Sequence, residues 1–450
     1  MNRRPLTTVM LVTTLGALAI LVWTSWPSFV RPGSDGPITN PTDFRAFYCA
    51  GAAVLLHANP YLVEPIQSCE LRAAAQAGLH IKAGLVLPAP HPPYAELFFA
   101  AFALMPFRVA TIVWLASLLA AACATIVAVA RLTGLRLAVV AGALFMALAY
   151  GSLVIGQVVP PVLCALSLAA LAVRQRRAAP AAALLTFAMI EPHLGLPAAL
   201  AAFVAFPWLR RGLLIGGAVL AALSLLAVGA PTVVQYFMTV LPLHAASEVT
   251  AFGGQYGLSP LLYALGLSER SALALGSLSY ASMLALGIWA GVNIARKTAD
   301  AAFAILAAPA FVLIGGTFLH IHQIAVALPL ALLLLVRYGP RPALVVATVC
   351  LAIPWGTIAE MPAVARLLAI APPNAAASVR FPAPRPDDIA EIPEMRMIRS
   401  GGFYDDRRTN GERFAIKFPT WFGLIVIAGY ACALAGSGRK AEAQAGMAVA

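Results

Sequence analysis

Long runs of apolar residues recur along nearly the whole chain, and they constrain its fold more than any other feature. Residues 10–26 read MLVTTLGALAILVWTSW, and residues 343–353 read ALVVATVCLAI. A helix of about 20 apolar residues spans a bilayer. Of the 450 residues, 61% are hydrophobic and 11% are charged. The sequence therefore predicts an all-α integral membrane protein, a polytopic helical bundle embedded in the lipid bilayer.

The first apolar run is interpreted as an uncleaved helix rather than a signal peptide. No small-residue cleavage site precedes Trp23 and Trp26, and many further apolar runs follow. The net charge of +12 is attributed to Lys and Arg that hold loops on the cytoplasmic side. Nucleic acid is therefore not an expected partner.

Basic clusters and polar turns alternate along the chain and predict its topology. The basic clusters are Arg3-Arg4, Arg131/Arg136, Arg174–Arg177, Arg210-Arg211, Arg296-Lys297, Arg337/Arg341 and Arg439-Lys440. If all of them face the cytoplasm, the turning points of the chain collect on the outer side. They are 156–161, 189–193, the long loop 230–260, 317–323 and the polar stretch 359–418. This arrangement predicts about 12 transmembrane helices with both termini inside.

The predicted domains follow from this topology. Residues 1–358 form the transmembrane core, whose first outer loop covers about 28–93. Residues 359–418 contain 17 of the 48 charged residues and many prolines, which predicts a solvated extramembrane loop. Residues 419–436 form the last transmembrane helix, and residues 437–450 form a cytoplasmic tail.

Several apolar pieces are too short for a straight span. Residues 180–190 and 196–207 predict broken or tilted helices that meet at an outward cavity, because interrupted backbone is tolerated in a membrane only where protein or water covers it. Pro106 divides the apolar stretch that begins at residue 94. We expect an interfacial or re-entrant segment over 94–106, followed by a span.

Two of the six cysteines, Cys49 and Cys69, share the first long loop. They are able to form a disulfide if that loop faces an oxidising compartment, and the sequence leaves this open. The others lie in apolar runs and are expected to pack there: Cys123, Cys164, Cys350 and Cys432. No CxxC pair is present, so the cysteines indicate neither a metal nor a redox motif.

Residues 43–62, DFRAFYCAGAAVLLHANPYL, combine a carboxylate with aromatic rings directly after the first apolar run. Helical spacing predicts an interfacial helix in the first outer loop, with five residues on one face: Phe44, Phe47, Tyr48, Gly51 and Leu55. Asp43 has two interpretations: an N-cap of that helix, or a functional carboxylate. The stretch ends at Asn-Pro-Tyr, which predicts a turn.

The order of five stretches resembles glycosyltransferase family 87 over roughly residues 10–340. These stretches are DFRAFYCAGAAVLLHANPY (43–61), HPPYAELFFAAFALMP (91–106), GQVVPPVLCALSLAALAVRQRR (156–177), MIEPHLGLPAALAAFVAFPWLRR (189–211) and APAFVLIGGTFLHIHQIAVALP (308–329). Each motif alone has low specificity, and the resemblance rests on the order and spacing of all five. The region after about residue 360 has no recognised counterpart in the family.

The resemblance implies a GT-C-like membrane enzyme of the bacterial inner membrane. Such an enzyme transfers a sugar, most often mannose, from a polyprenyl-phosphate donor to a hydroxyl of a lipid or glycan acceptor on the outer or periplasmic face. No cofactor is expected. Asp43 matches the position of the family's catalytic aspartate and would act as general base on the acceptor hydroxyl.

Five residues are predicted to bind the donor phosphate or sugar: His320, His322, Arg45, His91 and Gln157. His320 and His322 alternate, so both face the site only if that segment is extended or broken. No third ligand accompanies them, so no metal site is expected. Arg45 is alternatively placed among lipid headgroups. His91 alternatively begins a rigid, extended entry into the next segment.

Five further residues are predicted to bind the acceptor or to line the cavity: Glu191, His193, Tyr48, Tyr61 and Gln255. Glu191 stands where the family usually has Lys beside Pro. A carboxylate there would repel the donor phosphate unless His193 or an arginine neutralises it. Two other functions therefore stay open, a sugar or lipid-carrier transporter or flippase and a non-catalytic assembly partner. No internal repeat is visible, and its absence argues against the transporter.

Overall fold

The computed structural model describes residues 41–78, 81, 84, 86–148, 152–360, 383–399 and 408–437. In these ranges the secondary structure is helical, apart from two isolated bridges that pair Leu62 with Ile389 and Gln255 with His320. The prediction of an all-α protein is confirmed for this part of the chain. The predicted first span at 10–26 and the tail beyond residue 437 lie outside the described residues.

The described residues form eighteen α-helices. In chain order they are α1 (Thr42–Leu55), α2 (Val63–Gln76), α3 (Pro93–Ala103), α4 (Phe107–Thr133), α5 (Leu137–Leu148), α6 (Val159–Arg174), α7 (Ala178–Ala188), α8 (Pro192–Ala205), α9 (Arg210–Gln235), α10 (Leu241–Glu248), α11 (Leu258–Ala264), α12 (Glu269–Thr298), α13 (Ala302–Gly315), α14 (Leu328–Tyr338), α15 (Pro342–Ala352), α16 (Trp355–Glu360), α17 (Glu391–Arg399) and α18 (Asn410–Gly436). Short 3₁₀ segments precede α9 and α14, and a π-turn, Tyr236–Val240, separates α9 from α10. The prediction of a loop over 230–260 is wrong for residues 230–248, because the chain stays helical there.

Within the described ranges, five helical segments are long and apolar enough to cross a bilayer. They are Phe107–Thr133, Pro207–Glu248, Glu269–Thr298, Ile321–Tyr338 and Asn410–Gly436. Six shorter apolar helices accompany them: α5, α6, α7, α8, α13 and α15. The chain is therefore a multi-pass membrane protein. The number of about 12 crossings and their orientation stay predictions.

The helices break near the positions that the sequence indicates. Helix α7 ends at Ala188 and α8 begins at Pro192, so two short helices replace one straight span. A Cβ at Gly195 would lie 2.3 Å from the carbonyl oxygen of Ala188. The two helices approach this closely because glycine carries no side chain. Pro106 immediately precedes α4, where a proline starts a helix readily.

The first loop packs firmly on the helical core. Phe44 and Phe47 of α1 are 0% and 3% exposed, as the predicted helix face requires, whereas Leu55 at the end of that face is 41% exposed. A Cβ at Gly51 would lie 2.4 Å from the backbone carbon of Phe99, so α1 and α3 meet almost backbone to backbone. Whether these helices lie at the membrane interface stays a prediction.

Cys49 and Cys69 form a disulfide between α1 and α2, with their Cα atoms 5.5 Å apart. The four cysteines of the apolar runs are free. The alternative that the sequence left open is thus resolved in favour of pairing. The bridge fixes α2 against the helix that carries Asp43.

Residues 383–399 dock onto the first loop. The backbone N–H of Val63 donates to Asp388 O at 2.9 Å, and that of Ala390 donates to Tyr61 O at 2.9 Å. Helix α17 also packs against α10. Four charged side chains of the loop predicted to be solvated are in fact buried: Glu391, Glu394, Arg408 and Lys417. The prediction of solvation is wrong for these four, because this segment packs against the helices around it.

Helix α18 begins at Asn410, within the segment predicted to be extramembrane. Thr409 caps it, and Glu412 completes a capping box with the Thr409 backbone. Lys417 lies one turn further on and is 2% exposed. Its ammonium donates to the carbonyl oxygens of Phe252 and Gln255. The helix therefore starts earlier than residue 419, because a strong cap stands at Thr409.

Candidate active site

Asp43 lies in the first turn of α1 and is held against the loop between α5 and α6. The backbone N–H groups of Asp43 and Phe44 both donate to Ile155 O, at 3.0 and 3.2 Å. The side-chain amide of Gln157 donates to Asp43 Oδ2. The N-cap is Pro41, and no side chain caps the helix. The interpretation of Asp43 as an N-cap is therefore wrong, and its carboxylate bonds to the core instead.

Gly156 explains how α1 approaches this loop so closely. Its φ of +80° is unfavourable for other residues. A Cβ there would lie 2.6 Å from Phe44 Cβ. The indole N–H of Trp114 donates to Gly156 O at 2.8 Å, and its ring stacks on Phe44 at 5.5 Å. The Gly-Gln pair thus has two functions. Gly156 leaves space for the close approach of α1, and Gln157 donates a hydrogen bond to the Asp43 carboxylate.

Burial raises the pKa of Asp43 to about 6, although hydrogen bonds from Gln157 and Thr42 and the charge of His91 act in the opposite direction. The side chain nevertheless stays partly exposed. A carboxylate with this pKa is ionised at neutral pH and is a stronger base than an ordinary aspartate. The environment of Asp43 therefore suits general-base chemistry.

A second group of polar side chains surrounds Glu191, at the break between α7 and α8. His193 Nδ1 lies 3.0 Å from Glu191 Oε1, and His91 Nε2 lies 3.4 Å from Glu191 Oε2. Gln323, which the sequence did not indicate, approaches Glu191 Oε1 at 3.4 Å. The sequence predicts that a carboxylate at position 191 needs His193 or an arginine beside it. The structure provides the contact with His193.

His320 and His322 lie together. The sequence predicts this arrangement for an extended or broken segment. His320 is extended, with φ −86° and ψ 155°, and a 3₁₀ segment starts at Ile321. Their rings stack with centroids 5.1 Å apart and an interplanar angle of 10°. The side-chain amide of Gln255 reaches the His320 ring at 3.0 Å. Because the segment is not α-helical, alternate residues face the same side.

A third group of ionisable side chains was missed by the sequence reasoning. His244, Glu248, Glu391 and Glu394 are all buried, and His244 Nδ1 lies 3.2 Å from Glu391 Oε2. The Gln255 side chain donates to Glu248, which joins this group to His320. For His244 and Glu248, the signal was an ionisable residue close to a long apolar run. For Glu391 and Glu394 no signal distinguished them from the other charges of their loop.

Electrostatic contacts connect the three groups. Asp43 interacts with the charge of His91 on one side and with that of Glu394 on the other. His322 interacts with Glu191. Side chains from polar turns that are far apart in the sequence thus lie within electrostatic range of one another, and together they are called the polar region. Four of its predicted members are partly exposed: Asp43, Gln157, His193 and His320.

Three predicted site residues have structural partners instead. The guanidinium of Arg45 is buried, 3.5 Å from Glu70, so its placement among lipid headgroups is wrong. The hydroxyl of Tyr48 donates to Met105 O at 2.8 Å, and that of Tyr61 donates to His91 O at 2.8 Å. These residues hold the first loop in place rather than meeting the polar region with their functional groups.

Comparison with known proteins decides the family. A sequence model of glycosyltransferase family 87 matches residues 90–316, half of the chain. The chain belongs to glycosyltransferase family 87. Membership of family 87 makes it a membrane glycosyltransferase and confirms the resemblance. The matched range includes His91, Gln157, Glu191 and His193. Asp43, the His320–His322 pair and Gln323 lie outside it. Searches of curated proteins and of solved structures found no match.

Proposed function

We propose that this family 87 enzyme moves a sugar, mannose, from a polyprenyl phosphate to a hydroxyl of a lipid or glycan acceptor on the outer face of the bacterial inner membrane. Asp43 is the general base. The observation that carries the proposal is the setting of Asp43: a partly exposed carboxylate with a raised pKa, bonded to Gln157, beside a region that contains several imidazoles.

The carboxylate of Asp43 would remove the proton of the acceptor hydroxyl as the oxygen attacks the anomeric carbon of the sugar. The backbone bonds to Ile155 and the amide of Gln157 fix its direction, so that it is ready before the acceptor arrives. The bond between the anomeric carbon and the phosphate oxygen breaks, and the lipid phosphate leaves with the electron pair.

The departing phosphate needs hydrogen-bond donors or positive charge. We assign this task to His193 and His320, which are partly exposed members of the polar region. Glu191 contacts two imidazoles, those of His91 and His193, and either imidazole compensates its negative charge when protonated. A carboxylate at this position is thus compatible with an anionic donor. We assign Glu191 the task of orienting these imidazoles.

Membranes that contain the protein, supplied with radiolabelled polyprenyl-phosphate mannose and candidate acceptors, test the proposal. Asp43→Asn should lower transfer at least about 100-fold, the usual contribution of a general base. Asp387→Asn, a change of an exposed aspartate in the docked segment, should leave transfer unchanged. Undiminished transfer by Asp43→Asn would exclude the proposed base. Absence of transfer by the unmodified protein with every donor and acceptor would instead favour the non-catalytic partner.

A further inference from the structure

Helix α17 brings two carboxylates to a histidine of α10. One ligand atom from each of His244, Glu391 and Glu394 lies within 4.8 Å of the others, and the distance between His244 Nδ1 and Glu391 Oε2 is 3.2 Å. Two ligands bonded to one cation at about 2.1 Å lie about 3.0–3.4 Å apart, so small side-chain shifts would bring all three into range.

The carboxylates of this group have unused bonding capacity. Glu391 Oε1 and Glu394 Oε2 are buried without a hydrogen-bond partner, and the two side chains are 1% and 9% exposed. The charge of Glu248 also acts on both of them. Burying carboxylates next to one another costs several kcal/mol unless a cation or protons compensate them. His244 supplies at most one positive charge to this group.

We propose that His244, Glu391 and Glu394 bind a divalent cation of the Mn²⁺ or Zn²⁺ class. A set of one imidazole nitrogen and carboxylate oxygens suits these ions, whereas Mg²⁺ and Ca²⁺ prefer oxygen ligands alone. Glu248 interacts electrostatically with all three residues but is not one of the ligands, and its carboxylate accepts a hydrogen bond from Gln255. The site is separate from the His320–His322 pair, for which no metal was expected.

The position of the site gives the cation a structural effect. It would cross-link α17, from the segment that docks on the first loop, to α10. It would also reduce the negative charge next to Asp43, because Glu394 interacts with that carboxylate. The cation would thus hold the docked segment beside the polar region and make that region less repulsive to anions.

The competing explanation is that Glu391 and Glu394 share a proton. Burial raises the pKa of Glu391 to about 8, and the two carboxyl groups are close enough to bond to each other when one is protonated. The two explanations differ in what a cation does. A shared proton needs no metal, whereas a cation must displace protons on binding and bind more tightly as pH rises.

The purified full-length protein, treated with a chelator and returned to buffer, should be titrated separately with MnCl₂, ZnCl₂ and CaCl₂. Calorimetry should show one site that binds Mn²⁺ or Zn²⁺ more tightly than Ca²⁺, and the Tm should rise with the logarithm of metal concentration. Glu394→Gln and His244→Gln should each weaken binding at least about 100-fold and abolish the rise in Tm.

Glu269→Gln is the matched control. This partly exposed carboxylate pairs with Arg399, which is the last residue of α17. It should bind the metal as the unmodified protein does. A Tm of metal-free Glu394→Gln close to that of the metal-free parent would show that the variant folds. The proposal is overturned if the parent binds no metal stoichiometrically, or if folded Glu394→Gln and His244→Gln bind it unchanged.

Discussion

Replacing Gln157 by Met gives the sharpest test of how the candidate base is tuned. Methionine has nearly the same length as glutamine but cannot donate to Asp43 Oδ2. In the unmodified protein this hydrogen bond stabilises the ionised carboxylate. Its loss must therefore raise the pKa of Asp43 further above about 6. More protonated aspartate then remains at any pH near that value, and the acidic limb of the activity profile should move to higher pH.

The size of the shift follows from the strength of the bond. A hydrogen bond to a charged group contributes about 1.5–3 kcal/mol, and one pKa unit corresponds to about 1.4 kcal/mol. Because Asp43 is partly exposed, water replaces part of the lost bond, and we expect a shift of about one unit. At pH 6 the ionised fraction would then fall about fivefold, while at pH 8.5 it would hardly change.

The assay is kcat/KM for sugar transfer between pH 5 and 9, since this ratio reports ionisations of the free enzyme. Gln175→Met is the control, because this exposed glutamine caps the opposite, C-terminal end of α6. It should keep the original profile. An acidic limb that stays in place in Gln157→Met would refute the reasoning. A uniform loss at all pH values would do the same, because it would indicate misplacement of the loop rather than a change in basicity.

Three further predictions concern the first loop. Gly51→Ala should destabilise the fold by about 1–3 kcal/mol through overpacking against α3, whereas Gly429→Ala, which meets nothing within 4 Å, should not; melting in detergent compares them. Arg45→Met should cost about 3–5 kcal/mol, because it leaves Glu70 buried and unpaired, and adding Glu70→Met should recover most of the loss. Alkylation of the denatured, unreduced protein should modify four of the six cysteines, and modification of all six would disprove the disulfide.

The sequence predicts the helical class and the breaks between helices because both depend on local pattern. Apolar length predicts membrane helices, and Pro106 predicts the start of α4. The break near Glu191 follows from two segments that are too short to span. The resemblance to family 87 also selects Asp43 and Gln157, which the structure brings into contact over 114 residues of sequence.

The rest depends on contacts between distant segments that no local pattern reveals. The sequence predicts that Arg45 binds a phosphate. In the structure its buried partner is Glu70, 25 residues away. Glu391 looked like one charge among many in a hydrophilic loop, yet it lies against His244, 147 residues earlier. Burial of such groups is decided by which loop docks on which helix, and hydropathy alone predicts the opposite.

The shared attachment at Ile155 has a consequence for protein engineering. Asp43 takes its position from the 152–158 loop through two backbone bonds and one amide, and Gly156 leaves room for the helix that carries it. The position of each segment therefore depends on the residues of the other. A chimaera that imports residues 41–62 from another family member should import 152–158 from the same parent, or the grafted carboxylate will arrive at a surface shaped for a different helix.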